Sequence, residues 1–212
     1  MSTPVRAPLK FVTFEGGEGG GKSTQLRLLA EALKASGETV VTTREPGGAP
    51  GAEEIRKLLV EGEPGLWPPD AEALLHFAAR AEHLAKVIRP ALEQGHWVLC
   101  DRFADSTLAY QGYGQAIDLT WLQQLRSQIV GKTEPGLTLI LDLPVDIGLA
   151  RVSTQQRYER MGRAFHERLH AGFLAIAKEE PERCQVIDAT RPIEAVAKDV
   201  RMAVAKRFRV TL

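Results

Sequence analysis

The stretch FEGGEGGGKST, residues 14–24, decides the fold of this 212-residue chain. From Gly16 to Ser23 it has the spacing G-x-x-x-x-G-K-S, which is typical of a loop whose backbone N–H groups hold phosphates. An apolar run rich in β-formers comes directly before it, and a segment with leucines at helical spacing follows. This is the setting that the motif requires. The stretch therefore predicts a nucleoside triphosphate site made by Gly16, Gly17, Glu18, Gly19, Gly20, Gly21, Lys22, Ser23 and Thr24.

Individual side chains of this loop have expected roles. Lys22 is expected to reach the β- and γ-phosphates and Ser23 to be a ligand of Mg²⁺. Two carboxylates, Glu15 and Glu18, are unusual so close to a polyanion, because a buried carboxylate is costly unless a hydroxyl group or a cation compensates it. For Glu15 a simpler role, capping backbone N–H groups, is the alternative.

Five segments rich in β-forming residues alternate with longer segments of helical spacing. They are mostly continuous apolar runs without strict alternation, which suits a sheet covered on both faces. This alternation predicts the α/β class with a mainly parallel, five-stranded sheet flanked by helices, and with the phosphate loop it predicts a three-layer P-loop NTPase fold. We expect one domain, residues 1–212. The predicted strands are 11–14, 39–42, 97–100, 137–141 and 185–187.

Composition limits the possible partners. The formal net charge is zero, so the chain as a whole is not attracted to nucleic acid or to an anionic membrane surface. No run of about 18 apolar residues exists, and the N-terminal segment lacks the pattern of a signal peptide. Cys100 and Cys184 lie in apolar runs, which favours buried, reduced thiols. We therefore expect a cytoplasmic protein without nucleic-acid or membrane partners.

Two patches could bind a second substrate. Arg44 follows the second predicted strand within TREPGG, and ligands of doubly wound sheets bind at the carboxyl ends of strands. The alternative is a surface arginine before a tight turn. On a later helix His76 and Arg80 are four residues apart and share a face, which suits a ring stacked on a base beside a guanidinium. Phe77 lies about 100° away, and for an isolated aromatic residue on a helix core packing is more usual.

A third patch, DRFADSTLAYQG, begins at the end of the third predicted strand. Asp101 is placed where a carboxylate lies near Mg²⁺, and Arg102 could hold a phosphate. The segment also supplies donors and acceptors suited to a pyrimidine: Ser106, Thr107, Tyr110 and Gln111.

Residues 152–163, VSTQQRYERMGR, are polar and rich in arginine. They form either a solvated surface loop, as most charged segments do, or a mobile lid that brings cations to the phosphates.

The chain resembles bacterial thymidylate kinases, which belong to the nucleoside monophosphate kinase group of P-loop proteins. The resemblance rests on EGGEGGGKST, TREPGG, FAARAEH, DRFADSTLAYQG and LDLPVDIGLAR (residues 141–151), in the family's order and over most of the chain. It implies Mg²⁺-dependent transfer of the γ-phosphoryl group from ATP to dTMP, and a homodimer. By resemblance, Glu18 faces the 3′-hydroxyl region of dTMP.

The resemblance also implies which residues act. No arginine lies between Gly16 and Gly21, so the lid should supply the cations, with Arg151, Arg157, Arg160 and Arg163 as candidates. Arg151 is expected at ATP. The expected catalytic residues are Lys22, Arg44, Arg102 and Arg157. The expected metal ligands are Ser23 and Asp101. The expected dTMP site comprises Glu18, Arg44, His76, Phe77, Arg80, Arg102, Ser106, Thr107, Tyr110 and Gln111.

Two departures and two rival functions remain. The family usually places an aromatic residue where His76 stands, so His76 or Phe77 could stack on the base. The lid is shorter than usual, with Gln155 and Gln156 where the family has glycine and acidic residues. A kinase for another nucleotide, such as dUMP, would share every phosphate feature. A P-loop switch or ATPase would hydrolyse ATP without a monophosphate.

Overall fold

The computed structural model describes residues 7–151 and 157–212. Residues 152–156, the first part of the predicted lid, lie outside this description. The strands are β1 (Phe11–Glu15), β2 (Val40–Arg44), β3 (Trp97–Asp101), β4 (Leu137–Asp142) and β5 (Cys184–Asp188). The α-helices are α1 (Lys22–Ala35), α2 (Pro50–Val60), α3 (Pro69–His83), α4 (Arg89–Glu93), α5 (Ala104–Thr107), α6 (Leu119–Ile129), α7 (Val145–Arg151), α8 (Arg163–Glu179) and α9 (Ile193–Phe208).

The five strands form one sheet in the order β2-β3-β1-β4-β5, and every neighbouring pair is parallel. The predicted α/β class and five-stranded sheet are confirmed, with strand ends that differ slightly. All five residues of β1 are buried, as expected for a central strand covered on both faces. Val12 and Phe14 face one core cluster with leucines of α1, whereas Phe11 faces another with Phe103.

Two helices widen into π-helical turns, which often mark functional sites. The first, Leu84–Ile88, follows α3 directly. The second, Leu108–Gly114, continues α5 and carries Tyr110 and Gln111, both buried. In the described ranges, 7–151 and 157–212, no helix has the length and apolarity needed to span a membrane. Cys100 and Cys184 are free, buried thiols.

Strand register brings the predicted patches together. Asp101, at the end of β3, is paired with Phe14 of β1 on one side and with Arg44 of β2 on the other. The loops that follow these three strands therefore meet at one edge of the sheet, where doubly wound folds bind ligands.

Candidate active site

A cavity of about 420 Å³ opens at this edge of the sheet. It runs from the phosphate loop to the π-helical turn at Leu108–Gly114. Sixteen of the predicted site residues line it: Glu18, Gly19, Gly20, Gly21, Lys22, Ser23, Thr24, Arg44, His76, Arg80, Asp101, Arg102, Ser106, Thr107, Tyr110 and Gln111. Gly16, Gly17, Phe77, Arg151 and Arg157 do not line it.

The phosphate loop is shaped by glycines whose conformation other residues rarely adopt. Gly16 and Gly21 have φ angles of 122° and 81°, and a Cβ atom on Gly16 would overlap the backbone oxygen of Leu141. Helix α1 starts at Lys22 without a side-chain cap and without an acidic residue in its first turn. Its N–H groups and its dipole are therefore available to an anion.

Lys22 is held inside the loop. Its Nζ donates to the carbonyl oxygens of Gly17 at 2.6 Å and Gly16 at 3.2 Å, and its side chain is buried. Burial, together with the nearby Arg102 guanidinium, lowers the pKa of Lys22 from 10.5 to about 8. A polyanion in the loop would favour the charged ammonium.

Ser23 and Asp101 make a pair of oxygen donors. The Ser23 hydroxyl donates to Oδ2 of Asp101 at 2.5 Å. Hydroxyl and carboxylate oxygens suit Mg²⁺, which usually takes few protein ligands together with phosphate oxygens and water. No group of three or more His, Cys, Asp or Glu side chains suited to a metal occurs in residues 7–151 and 157–212. The hydroxyl and carboxylate oxygens of Ser23 and Asp101 are a donor set that fits a magnesium ion.

The Glu18 carboxylate is compensated within the protein. Its Oε1 accepts hydrogen bonds from Nη2 of Arg102 at 2.9 Å and from the Tyr110 hydroxyl at 2.5 Å. Burial alone would raise the pKa of Glu18, but Arg102 and Lys22 lower it to about 2. Glu18 is thus an anion held by Arg102 and Tyr110, two donors from the loop and helix after β3.

Arg102 joins several parts of the site. Besides Glu18, its guanidinium donates to the Gly16 oxygen at 3.0 Å and the Ser106 hydroxyl at 3.2 Å, and it lies over the Tyr110 ring. Its backbone has a φ of 66°, an uncommon value for a non-glycine residue and one that clusters at functional sites.

Glu15, the other carboxylate of the loop, is fully buried. It accepts a hydrogen bond from the Phe103 N–H at 2.7 Å, so the backbone-capping alternative for Glu15 agrees with the contacts.

Arg80 is buried, with 2% of its surface exposed. It donates to Oε2 of Glu45 at 2.8 Å, to the Phe103 carbonyl at 3.1 Å and to the Thr107 hydroxyl at 3.0 Å. Its Nη1 has no hydrogen-bond partner within the described ranges. Because a buried guanidinium nitrogen without a partner is costly, Nη1 is suited to a ligand acceptor atom.

Of the two rings that could stack on a base, His76 and Phe77, only His76 lines the cavity. His76 lines the cavity and its Nε2 lies 2.8 Å from the Tyr158 hydroxyl. Burial, helped by Arg80 and Arg157, lowers the pKa of His76 to about 3, so its ring is neutral. Phe77 does not line the cavity: it is 3% exposed, lies in the core and packs against the Arg80 guanidinium. Including Phe77 among the expected ligand residues is therefore corrected.

Arg44 and Arg56 add two further cations to the cavity lining. Arg44 is exposed and forms an ion pair with Glu53 at 3.1 Å. Arg56 lines the cavity and donates to the Pro46 oxygen at 2.6 Å, but the sequence reasoning missed it. Its signal was weak: a helical arginine shortly after TREPGG. Tyr158 was missed too, because it stands inside the segment interpreted only through its arginines.

The expected lid arginines occupy different places. Arg157 is 2% exposed, pairs with Glu72 and does not line the cavity, so no contact with the phosphate loop supports its expected catalytic role, which stays a prediction. Arg160 pairs with Glu63 and Arg163 with Asp146. Arg151 donates from Nη1 to the Gly19 oxygen at 3.4 Å and therefore lies beside the phosphate loop.

Comparison with known proteins gives one family. A family model described as thymidylate kinase matches residues 14–200. The thymidylate kinase of Caulobacter vibrioides is 54% identical over 93% of this chain and 97% of its own, and that of Magnetococcus marinus is 50% identical over 95% and 98%. The crystal structure of thymidylate kinase from Ehrlichia chaffeensis superposes with a TM-score of 0.75 at 40% identity, covering 92% of this chain and 97% of that one. This chain therefore belongs to the thymidylate kinase family.

Proposed function

We propose that this protein transfers the γ-phosphoryl group of ATP to dTMP, giving ADP and dTDP, with Mg²⁺ as the required ion. Family membership supports this reaction, and one structural observation on this chain supports it independently. A single cavity joins the phosphate loop, with Lys22, to a buried polar end containing Arg80, Thr107 and Gln111. A donor and an acceptor nucleotide can thus meet end to end.

The donor side holds ATP by charge and by backbone dipoles. The N–H groups of residues 16–24, the α1 N-terminus and the Lys22 ammonium bind the β- and γ-phosphates. Arg151, beside Gly19, adds a cation at the edge of the loop. Ser23 and Asp101 would hold Mg²⁺, which when bound neutralises phosphate charge.

The acceptor side aligns dTMP. Arg102 and Arg44 bind its phosphate, and Ser106 and Tyr110 line the same wall. The Glu18 carboxylate accepts a hydrogen bond from the sugar 3′-hydroxyl.

The base binds at the closed end of the cavity. His76 stacks on the ring as a neutral imidazole. Arg80, Thr107 and Gln111 meet the polar edge of the base.

Transfer is direct and in line, without a covalent enzyme intermediate. The attacking atom is a phosphate oxygen that is already anionic, so no general base is needed. The protein contributes alignment and stabilisation of the charge that develops on the transferring group. Arg102, which touches both Gly16 and Glu18, is the cation best placed between the two substrates.

Release of ADP from Mg-ATP, measured with purified protein and dTMP, dUMP, UMP, CMP, AMP or no acceptor, tests this function. We expect strong turnover with dTMP, weaker turnover with dUMP and near silence with the others. ADP release that needs no monophosphate would identify an ATPase and refute the proposal. Preference for another monophosphate would leave the proposed phosphoryl transfer in place but replace dTMP as the acceptor substrate.

The proposal also includes one domain over residues 1–212, a homodimer and a cytoplasmic location without a nucleic-acid partner. Apolar side chains exposed on α2, on α3 and between these helices, Leu58, Leu74 and Leu66, support self-association. The zero net charge supports the absence of a nucleic-acid partner. Light scattering on the purified protein gives the number of subunits directly, and a monomer at micromolar concentration would refute the dimer.

A further inference from the structure

Glu72 is a buried carboxylate just behind the closed end of the cavity. It lies in the first turn of α3, is 2% exposed and does not line the cavity itself. Three donors converge on its Oε1: the side-chain amides of Gln111 and Gln115, each at 2.8 Å, and the Tyr158 hydroxyl at 2.9 Å. Its Oε2 pairs with Arg157. These hydrogen bonds fix the orientation of the side chains that donate them.

The carboxylate fixes which way the Gln111 amide points. Paired with Arg157, the Glu72 carboxylate can only accept hydrogen bonds, so the NH₂ group of Gln111 must face it. The carbonyl oxygen of Gln111 then points elsewhere. This oxygen is buried and has no hydrogen-bond partner in the described part of the chain, although Gln111 lines the cavity. A ligand donor would satisfy it.

The same carboxylate also orients His76. The single hydroxyl hydrogen of Tyr158 is donated to Glu72, so Tyr158 can only accept from the His76 Nε2 that lies 2.8 Å away. His76, whose ring is neutral, therefore carries its hydrogen on Nε2. The hydrogen-bonding orientation of two cavity residues, Gln111 and His76, is thus determined by one carboxylate that lies outside the cavity.

We infer that Glu72 is a positioning residue for selection of the acceptor base: it turns the Gln111 carbonyl oxygen towards the cavity, where it accepts from the ring N–H of a thymine or uracil. This inference rests on the proposed function. Cytosine has an acceptor nitrogen in place of that N–H, so two acceptors would face each other without a hydrogen. The selection is therefore between pyrimidines with and without an imide hydrogen.

Glu72→Gln tests this directly. The new amide can donate to the Gln111 carbonyl oxygen, so Gln111 can present either of its ends to the base. We expect the KM for dTMP to rise about tenfold while the KM for ATP stays the same, and the ratio of kcat/KM for dTMP to that for dCMP to fall about tenfold or more. Glu82→Gln makes the same change on the same helix, outside the cavity lining, and should leave both quantities unchanged.

A purely structural role for Glu72 predicts another result. Activity would then fall by the same factor for every acceptor, and an unchanged ratio in a folded Glu72→Gln protein would overturn the inference. If thermal unfolding shows that this variant does not fold, an experiment on the wild-type protein can still overturn the inference. The wild type should reject N3-methyl-dTMP, which lacks the imide hydrogen, and equal use of dTMP and its N3-methyl form would overturn the inference. Absence of any dTMP-dependent turnover in the wild type would instead refute the proposed function, and the inference with it.

Discussion

At the scale of single residues, Arg102 explains how a carboxylate can stand within a phosphate loop. Its guanidinium meets Glu18 at 2.9 Å, so the local charge of the pair is close to zero before any nucleotide binds. Tyr110 adds a second donor to the same oxygen. The carboxylate is therefore held by the segment after β3, whereas the Lys22 ammonium lies inside the loop against the Gly16 and Gly17 oxygens.

The lowered pKa of Lys22 predicts that ATP binding takes up protons at alkaline pH. With its pKa at about 8 in the free protein, Lys22 is largely neutral at pH 8.5. Phosphates favour the ammonium and raise this pKa in the complex, so protons are bound between the two pKa values and none is bound well below pH 8. Calorimetric titration with a non-hydrolysable ATP analogue, in two buffers of different ionisation enthalpy at pH 8.5, measures the uptake.

Lys22→Arg is the matched control for this measurement. An arginine stays charged throughout this pH range, so the buffer-dependent heat should disappear while a cation remains in the loop. Equal binding enthalpies for the wild type in the two buffers would contradict the prediction.

Single residues were also where sequence reasoning reached its limit. The four-residue spacing of His76 and Arg80 predicted a shared face, and both line the cavity. Arg157 was assigned to the phosphates because it stands in an arginine-rich segment, but its partner Glu72 is 85 positions away in sequence. Local charge patterns do not reveal so distant a partner, and only the fold brings the two together.

At the scale of elements, the phosphate loop depends on close packing against α7. Gly19 and Gly148 meet where the loop passes the helix: a Cβ atom on Gly148 would overlap the Glu18 oxygen, and one on Gly19 would overlap the Gly148 oxygen. Gly19 stands at a variable position of the loop motif, and Gly148 belongs to a segment recognised in the sequence only by family resemblance. Its physical reason is this backbone contact.

Gly148→Ala is expected to move α7 away from the loop. The added methyl group cannot be accommodated next to a backbone oxygen, so we expect the free energy of unfolding to fall by about 1–3 kcal/mol. The KM for ATP should rise more than the KM for dTMP, because the displaced backbone belongs to the donor site. Chemical denaturation and steady-state kinetics measure the two effects.

Gly162→Ala provides the comparison for this change. Gly162 has a φ of −64°, and an added Cβ atom would have nothing within 4 Å. Both the unfolding midpoint and the KM for ATP should stay close to those of the wild type. Equal behaviour of the two alanine variants would show that the contact between α7 and the loop is unimportant.

At the scale of the whole molecule, the five strands and their class followed from the sequence because each strand is a short run rich in β-forming residues, and most of these runs are continuously apolar. The strand order did not follow, since it depends on which crossovers pack. The phosphate loop, Asp101 and Arg44 could be assigned to one edge because parallel strands end together. Glu45, Arg56 and Tyr158 could not, because their place in the cavity depends on how helices and loops pack over that edge.

Asp105 connects distant parts of the molecule from within the core. It is 1% exposed in α5 and accepts two hydrogen bonds from Arg183, at 2.7 and 3.0 Å, while Arg126 of α6 lies 3.6 Å away. The Thr138 hydroxyl of β4 donates to it at 3.3 Å. One carboxylate thus holds together two helices, a central strand and the turn that leads into β5.

Asp105→Asn should therefore destabilise the whole fold. The variant removes the buried carboxylate that faces the Arg183 guanidinium and leaves it only the partly exposed Glu180 at 2.9 Å. Breaking a buried pair in this way costs about 3–5 kcal/mol. For a chain of this size each kcal/mol lowers Tm by about 2–4 °C, so a Tm lower by about 10 °C is expected in thermal unfolding at pH 7. Asp146→Asn, which removes an exposed partner of Arg163, should change the free energy of unfolding by less than about 1 kcal/mol.

The pH dependence of this difference separates the ion pair from a mere packing effect. Burial alone would raise the pKa of Asp105, but Arg183 and Arg126 lower it below its ordinary value of 3.8. A lowered pKa in the folded state means that the carboxylate stabilises the protein above its unfolded pKa and that this contribution is lost as the pH falls through the folded pKa. The Tm difference between wild type and Asp105→Asn should therefore shrink below about pH 4. A difference that stays constant from pH 7 to pH 3 would mean that the asparagine disturbs packing and that the charge of Asp105 contributes little.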